Sequence, residues 1–338
     1  MQDEIRLIDI YKARQRLHGH ILRTALVPSP SLSRLTGGSV HLKLDCRQIT
    51  GSFKLRGATN AILQLDDEAR RRGVIGVSTG NYGRALAHAA HQLGVRAVIC
   101  MSQLVPSNKV EAIRALGADV RIVGTSQDEA MHESQRLCDA EGLVEISPFD
   151  DPKVIAGQGT IGVEMLEARP DLTTLLVPLS GGGLAAGVAV AAKAINPAIR
   201  VIGITMDRGA AMHASLVAGK PVEVAEVASL ADSLGGGIGL ENRLSFPLCR
   251  DHLDATVLVT EEEIRHAMQV LYFEDRIVAE GASVVGLAAV LSGKVRVEGP
   301  TGTIVTGRNL DMGLFTKIMA GEDVVIGDLT VKGRCYGA

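Results

Sequence analysis

Short apolar runs alternate with helix-period runs along almost the whole chain. Residues 74–78 read as a buried strand and 85–93 as the helix after it. Residues 96–101 and 119–123 read as further strands, with helices over 109–116 and 128–140. The rhythm resumes past the midpoint with strand 174–178, an alanine-rich helix 184–195, strands 200–205 and 256–259, helices 261–273 and 282–291, and strand 302–306. An earlier helix is expected over 55–65. This alternation predicts a parallel sheet with helices on both faces. Leu175, Leu176 and Val177 are apolar at consecutive positions, as in strands covered on both sides. The stretch 322–338 reads as an extended or hairpin tail. No repeat, low-complexity tract or Ser/Gly/Pro-rich linker divides the chain, so two domains would have to share it by crossing over more than once.

Three glycine-containing loops fall where α/β proteins place function, after the C-terminal ends of strands. In the first, Ser78-Thr79-Gly80-Asn81, backbone N–H groups, the Thr79 hydroxyl and the Asn81 amide could take a carboxylate; the same residues also make ordinary helix N-caps. The second, Ser180-Gly181-Gly182-Gly183, opens a helix, so its N–H groups and the helix dipole suit a phosphate. A tight strand–helix turn with no ligand would use the same glycines. It is neither a P-loop nor a full dinucleotide fingerprint. The third is Thr306-Gly307-Arg308-Asn309. Lys54 lies at the start of a helix, next to the positive dipole end, where a cation is disfavoured. It is either a solvated lysine or one tuned for covalent chemistry by a lowered pKa. A phosphate-bearing aldehyde cofactor would use both the lysine and the glycine loop.

Composition narrows the function classes. The chain has 338 residues, enough for two domains or one large one, with 46% hydrophobic and 22% charged residues, as a chain with a sizeable core requires. Net charge is −3 and Trp is absent, which disfavours a basic or aromatic nucleic-acid platform. The five cysteines are scattered without a C-x-x-C pair, so neither a disulfide framework nor a cysteine zinc site is expected. No leader pattern or membrane-length apolar run is apparent, and a cytoplasmic protein without membrane partners is expected. His88 and His91 read as structural, and the acidic groups at 66–68 and 261–263 as helix-start charge.

Five segments resemble, in order, the motifs of the fold-type II pyridoxal-phosphate enzymes, which include threonine and serine dehydratases and serine racemase. They are Gln48-Ile49-Thr50-Gly51-Ser52-Phe53-Lys54-Leu55-Arg56-Gly57-Ala58, Ser78-Thr79-Gly80-Asn81, Ala156-Gly157-Gln158-Gly159-Thr160, Ser180-Gly181-Gly182-Gly183-Leu184 and Thr306-Gly307-Arg308-Asn309. The resemblance runs from about residue 8 to residue 318. It implies an α/β fold of two doubly wound domains with parallel sheets, like the β subunit of tryptophan synthase. Residues 1–66 and 152–338 would form the large cofactor-binding domain and 67–151 a small domain that closes on the substrate, with pyridoxal 5'-phosphate in the cleft between them.

The resemblance also implies roles. Lys54 would bond the cofactor and move the α-proton. Thr79, where related racemases have a serine, would be the acid/base on the opposite face. Phe53 would pack beside the cofactor ring, Asn81 would meet its hydroxyl, Ser180 to Leu184 would hold its phosphate, and Thr306 would sit against its pyridine nitrogen. Ser78, Thr79, Gly80 and Asn81 would take the substrate carboxylate. A hydroxyl at 306 leaves the pyridine nitrogen neutral, which favours rapid loss of a β-substituent over a long-lived carbanion. The expected activity is therefore ammonia-lyase, releasing a 2-oxo acid and ammonia from a β-hydroxy α-amino acid; a racemase or a β-replacement synthase is the alternative.

Departures refine this expectation. Thr79 adds a methyl to the racemase serine, and Thr205 and Ala211 stand where racemases carry metal carboxylates, so no divalent metal site is expected. Thr79 to Leu86 resemble the hydroxyectoine-utilisation dehydratases, whose ring-opened substrate is a longer threonine analogue that Tyr82 or Arg308 could read. No effector domain and no isoleucine feedback are expected, and the family suggests a homodimer.

Overall fold

The computed structural model describes residues 5–78, 80–103, 105, 107–125 and 127–337. The strands in chain order are β1 (Leu26–Pro28), β2 (Val40–Lys43), β3 (Val74–Val77), β4 (Ala97–Met101), β5 (Asp119–Ile122), β6 (Val144–Glu145), β7 (Thr174–Pro178), β8 (Arg200–Met206), β9 (Ala255–Val259), β10 (Thr301–Ile304), β11 (Val324–Ile326) and β12 (Leu329–Val331). They form a large sheet in the order β1-β2-β10-β7-β8-β9 and a small one in the order β5-β4-β3-β6. All neighbours in both sheets are parallel except β1 with β2. The tail forms the antiparallel hairpin β11-β12.

Side-chain alternation along the strands builds a core on each face. On β7, Leu176 packs with the helices Glu261–Phe273 and Val285–Leu291, whereas Leu175 and Val177 pack with Pro152–Ala168 and Gly183–Ile195. All five residues of β7 are buried, as a central parallel strand requires. On the small sheet, Val74 and Ile99 face the helices Lys54–Ile62 and Asn81–Gln92, while Ile75, Val98 and Cys100 face Gln127–Glu141. Leu55, Ala58, Ala61 and Ile62 thus share a core with the small sheet although they precede it in the chain. The helices Pro152–Ala168 and Gly183–Ile195 press backbone to backbone, because a Cβ on Gly187 would collide with the Ile155 carbonyl.

Most boundaries fall within two residues of expectation, as in the helix expected over 109–116, which is Ser107–Arg114, and several shifts lie beside the loops singled out above. The helix expected over 85–93 is Asn81–Gln92, so Asn81 is in its first turn. The helix expected over 55–65 is Lys54–Ile62. The strand expected over 302–306 ends at Ile304, because the chain then turns to the 52–53 segment: the Phe53 N–H donates to the Thr306 carbonyl at 2.9 Å, and Ser52 bridges Gly307. The helix expected over 282–291 opens with a 3₁₀ turn, Gly281–Ser283. Among the described residues, no helix is long and apolar enough to cross a membrane.

Candidate active site

A cavity of about 1030 Å³ opens where β3, β7 and β10 end, as the switch-point rule requires. Its wall includes Phe53, Lys54, Ser78, Gly80, Asn81, Ser180 to Leu184 and Thr306, so four distant segments converge. Thr79 lies outside the described residues.

Lys54 is the first residue of its helix. Its Nζ donates to the Pro148 carbonyl at 3.0 Å and lies 5.3 Å from the Phe53 ring centre and 5.9 Å from that of Tyr82. Burial pushes its ammonium down to about 8, because no carboxylate offsets the loss of water. The local conflict with the helix dipole therefore ends in a cavity rather than in solvent.

The glycine loop is shaped by its neighbours. Gly182, at φ +92°, is the N-cap of the helix Gly183–Ile195. The Gly181 carbonyl accepts from Ser245 Oγ at 2.7 Å, and the Gly182 carbonyl accepts from the Ala186 N–H at 2.8 Å. In planar trans peptides the following N–H groups point the opposite way, so those of Gly182 and Gly183 are directed away from these partners. The Asp150 carboxylate holds the chain behind the loop, accepting from the N–H groups of Arg243, Leu244 and Ser245 at 2.8–2.9 Å. A Cβ on Gly182 would lie 2.6 Å from Met212 Cε and 3.1 Å from Cys249 Sγ. Gly182→Ala is therefore expected to destabilise the protein by about 1–2 kcal/mol from its left-handed backbone alone, which chemical unfolding measures.

Thr306 Oγ1 pairs with Ser283 Oγ at 2.9 Å. Ser283 Oγ also accepts the Gly307 N–H at 2.6 Å. The single Ser283 proton goes either to Thr306, whose hydroxyl is then free to donate into the cavity, or to the Gly307 carbonyl at 2.8 Å, in which case Thr306 donates to Ser283 and turns its lone pairs to the cavity. Asn81 is tied to Glu280, a buried cavity-wall residue, and to Asn309. Burial, with Asp232 nearby, pushes the Glu280 carboxyl up to about 7, against the opposing hydrogen bonds from Asn81 and the Asn309 N–H. Glu280 and Ser283 were not identified in the sequence, where no motif marks them. Asn309 was noted only as the end of a motif.

One expectation needs correction. Arg308 is exposed and absent from the cavity wall, so it is not placed to read a substrate side chain. Tyr82 does line the cavity, with its hydroxyl donating to the Ile146 carbonyl. Among the described residues, no three His, Cys, Asp or Glu side chains gather to hold a metal ion.

Comparison with known proteins agrees with this geometry. The family model described as pyridoxal-phosphate dependent enzyme matches residues 17–307. The chain is 58% identical over 316 residues to a putative threonine dehydratase of Sinorhizobium fredii, covering 93% of this chain and 95% of that one. It is 42% identical to an L-threonine ammonia-lyase of Thermotoga maritima, covering 93% and 78%. The solved structure of maize serine racemase superposes with a TM-score of 0.88 at 34% identity, covering 93% of this chain and 97% of that one.

Proposed function

The chain belongs to the pyridoxal-phosphate-dependent enzyme family, and from that premise we propose that it is an ammonia-lyase that dehydrates and deaminates a β-hydroxy α-amino acid. The substrate is of the threonine or serine type, in its finer form a ring-opened hydroxyectoine analogue. The observation that carries this reading is Lys54: a desolvated amine facing the same cavity as a glycine-rich helix start and a buried hydroxyl pair.

These residues fit the cofactor. Its phosphate suits the N–H groups of Gly182 and Gly183 and the positive end of the helix Gly183–Ile195. Its ring suits the space between Phe53, Asn81 and Thr306. When bound, pyridoxal phosphate supplies an electron-withdrawing ring that acidifies the α-C–H of an amino acid. Lys54, lowered to about 8, has an appreciable neutral fraction near pH 7 and can take that proton. Gly80 caps the helix Asn81–Gln92, and the N–H groups at that helix start would orient the substrate carboxylate. Phe53 fixes one side of the reacting plane. A hydroxyl at 306, rather than a carboxylate, would leave the ring nitrogen neutral and favour departure of the β-hydroxyl after proton loss; it would leave as water, taking its proton from the acid that the cofactor's phosphate supplies beside the Ser180 to Leu184 loop. The enamine product tautomerises to an imine, and water then releases the 2-oxo acid and ammonia.

We read residues 67–151 as the unit that closes over the carboxylate and excludes water, with residues 1–66 and 152–338 as the base that holds the cofactor. A homodimer in the cytoplasm belongs to the same reading. The resemblance of residues 79–86 to the hydroxyectoine-utilisation dehydratases supports a side chain longer than that of threonine. Purified holoenzyme offered L-threonine, L-serine, their D and erythro/threo isomers and ring-opened hydroxyectoine is expected to release 2-oxo acid, fastest from the last. Inverted or substituted amino acid without oxo acid would replace this reading with racemisation or β-replacement. Faster turnover of L-threonine than of the analogue would overturn the finer assignment alone.

A further inference from the structure

Asn81 ends a chain of side-chain hydrogen bonds whose polarity is set at the far end. Arg84 has only donors, and its Nη1 donates to Asn309 Oδ1 at 2.6 Å. The other terminal atom of Asn309 must then be its amide nitrogen. That nitrogen donates to the Thr50 carbonyl at 2.9 Å and to Asn81 Oδ1 at 2.6 Å. A main-chain carbonyl can only accept, so the orientation is imposed from two sides. With its oxygen engaged, Asn81 presents Nδ2 as a donor, and one of its hydrogens goes to Glu280 Oε1 at 2.6 Å. Glu280 Oε2 accepts the Asn309 backbone N–H at 3.0 Å. Glu280 is only 3% exposed and occupies space that glycine at 307 leaves open, since a Cβ there would lie 2.6 Å from Oε1. The second Asn81 Nδ2 hydrogen has only a long contact, 3.4 Å to Ser233 Oγ, and Asn81 is part of the cavity wall.

We propose that Glu280 and Asn309 are positioning residues that fix the polarity of the Asn81 amide, so that an N–H, and not a carbonyl, faces the ring oxygen of the cofactor. The inference rests on the cofactor placement given under Proposed function. A donor there stabilises an ionised ring oxygen, whereas a carbonyl would repel it. Above about pH 7, the value to which burial raises Glu280 and the range in which the test is run, its carboxylate accepts on both oxygens. A glutamine there offers one acceptor and one donor, so either Asn81 or the Asn309 backbone loses its partner. An aspartate at 309 has the converse fault, setting an acceptor against Asn81 Oδ1.

The test compares wild type, Glu280→Gln and Asn309→Asp. Pyridoxal phosphate is the probe, and affinity by dialysis and the visible absorption of the bound cofactor are the readouts. Each variant is expected to bind the cofactor about tenfold more weakly, as loss of one buried hydrogen bond to an ionised group implies, and to show a displaced visible band. Wild-type affinity and an unshifted band in the variants that fold would overturn the proposal, and either variant alone suffices. Borohydride reduction followed by peptide mapping separates this failure from failure of the premise. Wild-type protein without a label on Lys54 would remove the cofactor placement itself, whereas a labelled Lys54 with unaffected variants would remove only the positioning role.

Discussion

Lys54→Ala is expected to abolish oxo-acid release, lowering kcat/KM by at least about 10⁴-fold, the upper range for removing a positioned acid–base group, with loss of the covalent link adding to it. The protein should remain folded, because the Lys54 ammonium makes one hydrogen bond, to the Pro148 carbonyl, and is held uncompensated by any carboxylate. Removing a buried amine whose charging is already penalised relieves a cost, so thermal unfolding of the apoprotein should be unchanged or raised. Adding pyridoxal phosphate to the variant should give no borohydride-stable label at position 54, while the glycine loop still retains the cofactor weakly. Residual activity within tenfold of wild type would show that another group moves the α-proton.

Arg56→Met is expected to produce the largest loss of stability, about 3–5 kcal/mol, because it strands buried carboxylates. Arg56 is fully buried. Its Nε and Nη2 donate to Asp45 at 2.7 and 3.0 Å, its Nη1 and Nη2 to Glu164 at 2.7 and 2.9 Å, and its Nη1 also to Thr160 at 3.2 Å. Lys43 completes the cluster, donating to Glu164 and to the Thr24 carbonyl. Two cations and two anions therefore cancel in a site closed to water. Burial alone would raise the Asp45 carboxyl, but the Arg56 charge and its hydrogen bonds overcome this and hold it below its ordinary value. A carboxyl lowered in the folded state contributes stability above its unfolded pKa, and that contribution is lost as the pH falls through the folded one. Wild type should therefore lose stability in acid over this range. In the variant the lost guanidinium removes that lowering, and with it most of this acid-dependent term. Urea unfolding at neutral and acid pH measures both effects. A loss under 1 kcal/mol at neutral pH would mean that the cluster relaxes or admits water.

The two variants separate chemistry from scaffold on a single helix. Lys54 and Arg56 are two residues apart in the helix Lys54–Ile62, one facing the cavity and the other the charge cluster against the helix Pro152–Ala168. Orientation around the helix, not proximity in sequence, gives them different functions.

The alternation of strand and helix, the buried parallel strands and the glycine loops after them were legible in the sequence, because each depends on residues close together in the chain. Period-two and period-3.6 patterns, Gly182 at a left-handed position and Lys54 at an unfavourable helix start are local features. The collinear motifs brought Phe53, Asn81, Ser180 to Leu184 and Thr306 into one candidate site, and the cavity wall contains all of them.

Other features depend on partners that only the fold brings together. Thr306 could be named from its motif, but not its pairing with Ser283, which requires the strand to stop at Ile304 and the 3₁₀ turn to lie beside it. Asn81 could be named, but not the orientation of its amide, which Arg84 sets through Asn309 across the two sheets. No motif marks Lys43, Asp45 or Glu164, and Arg56 stands in the Lys54 motif without an assigned partner, yet the fold seals all four together. By itself the sequence determined the fold class and most of the parallel strands, and it named candidate residues that line one cavity, since backbone preferences and hydrophobic periodicity act over a few positions. Only the tertiary structure decided which polar groups are dry, which way each amide points and which lysine is left without a counter-charge, because desolvation and hydrogen-bond polarity are properties of the assembled surroundings.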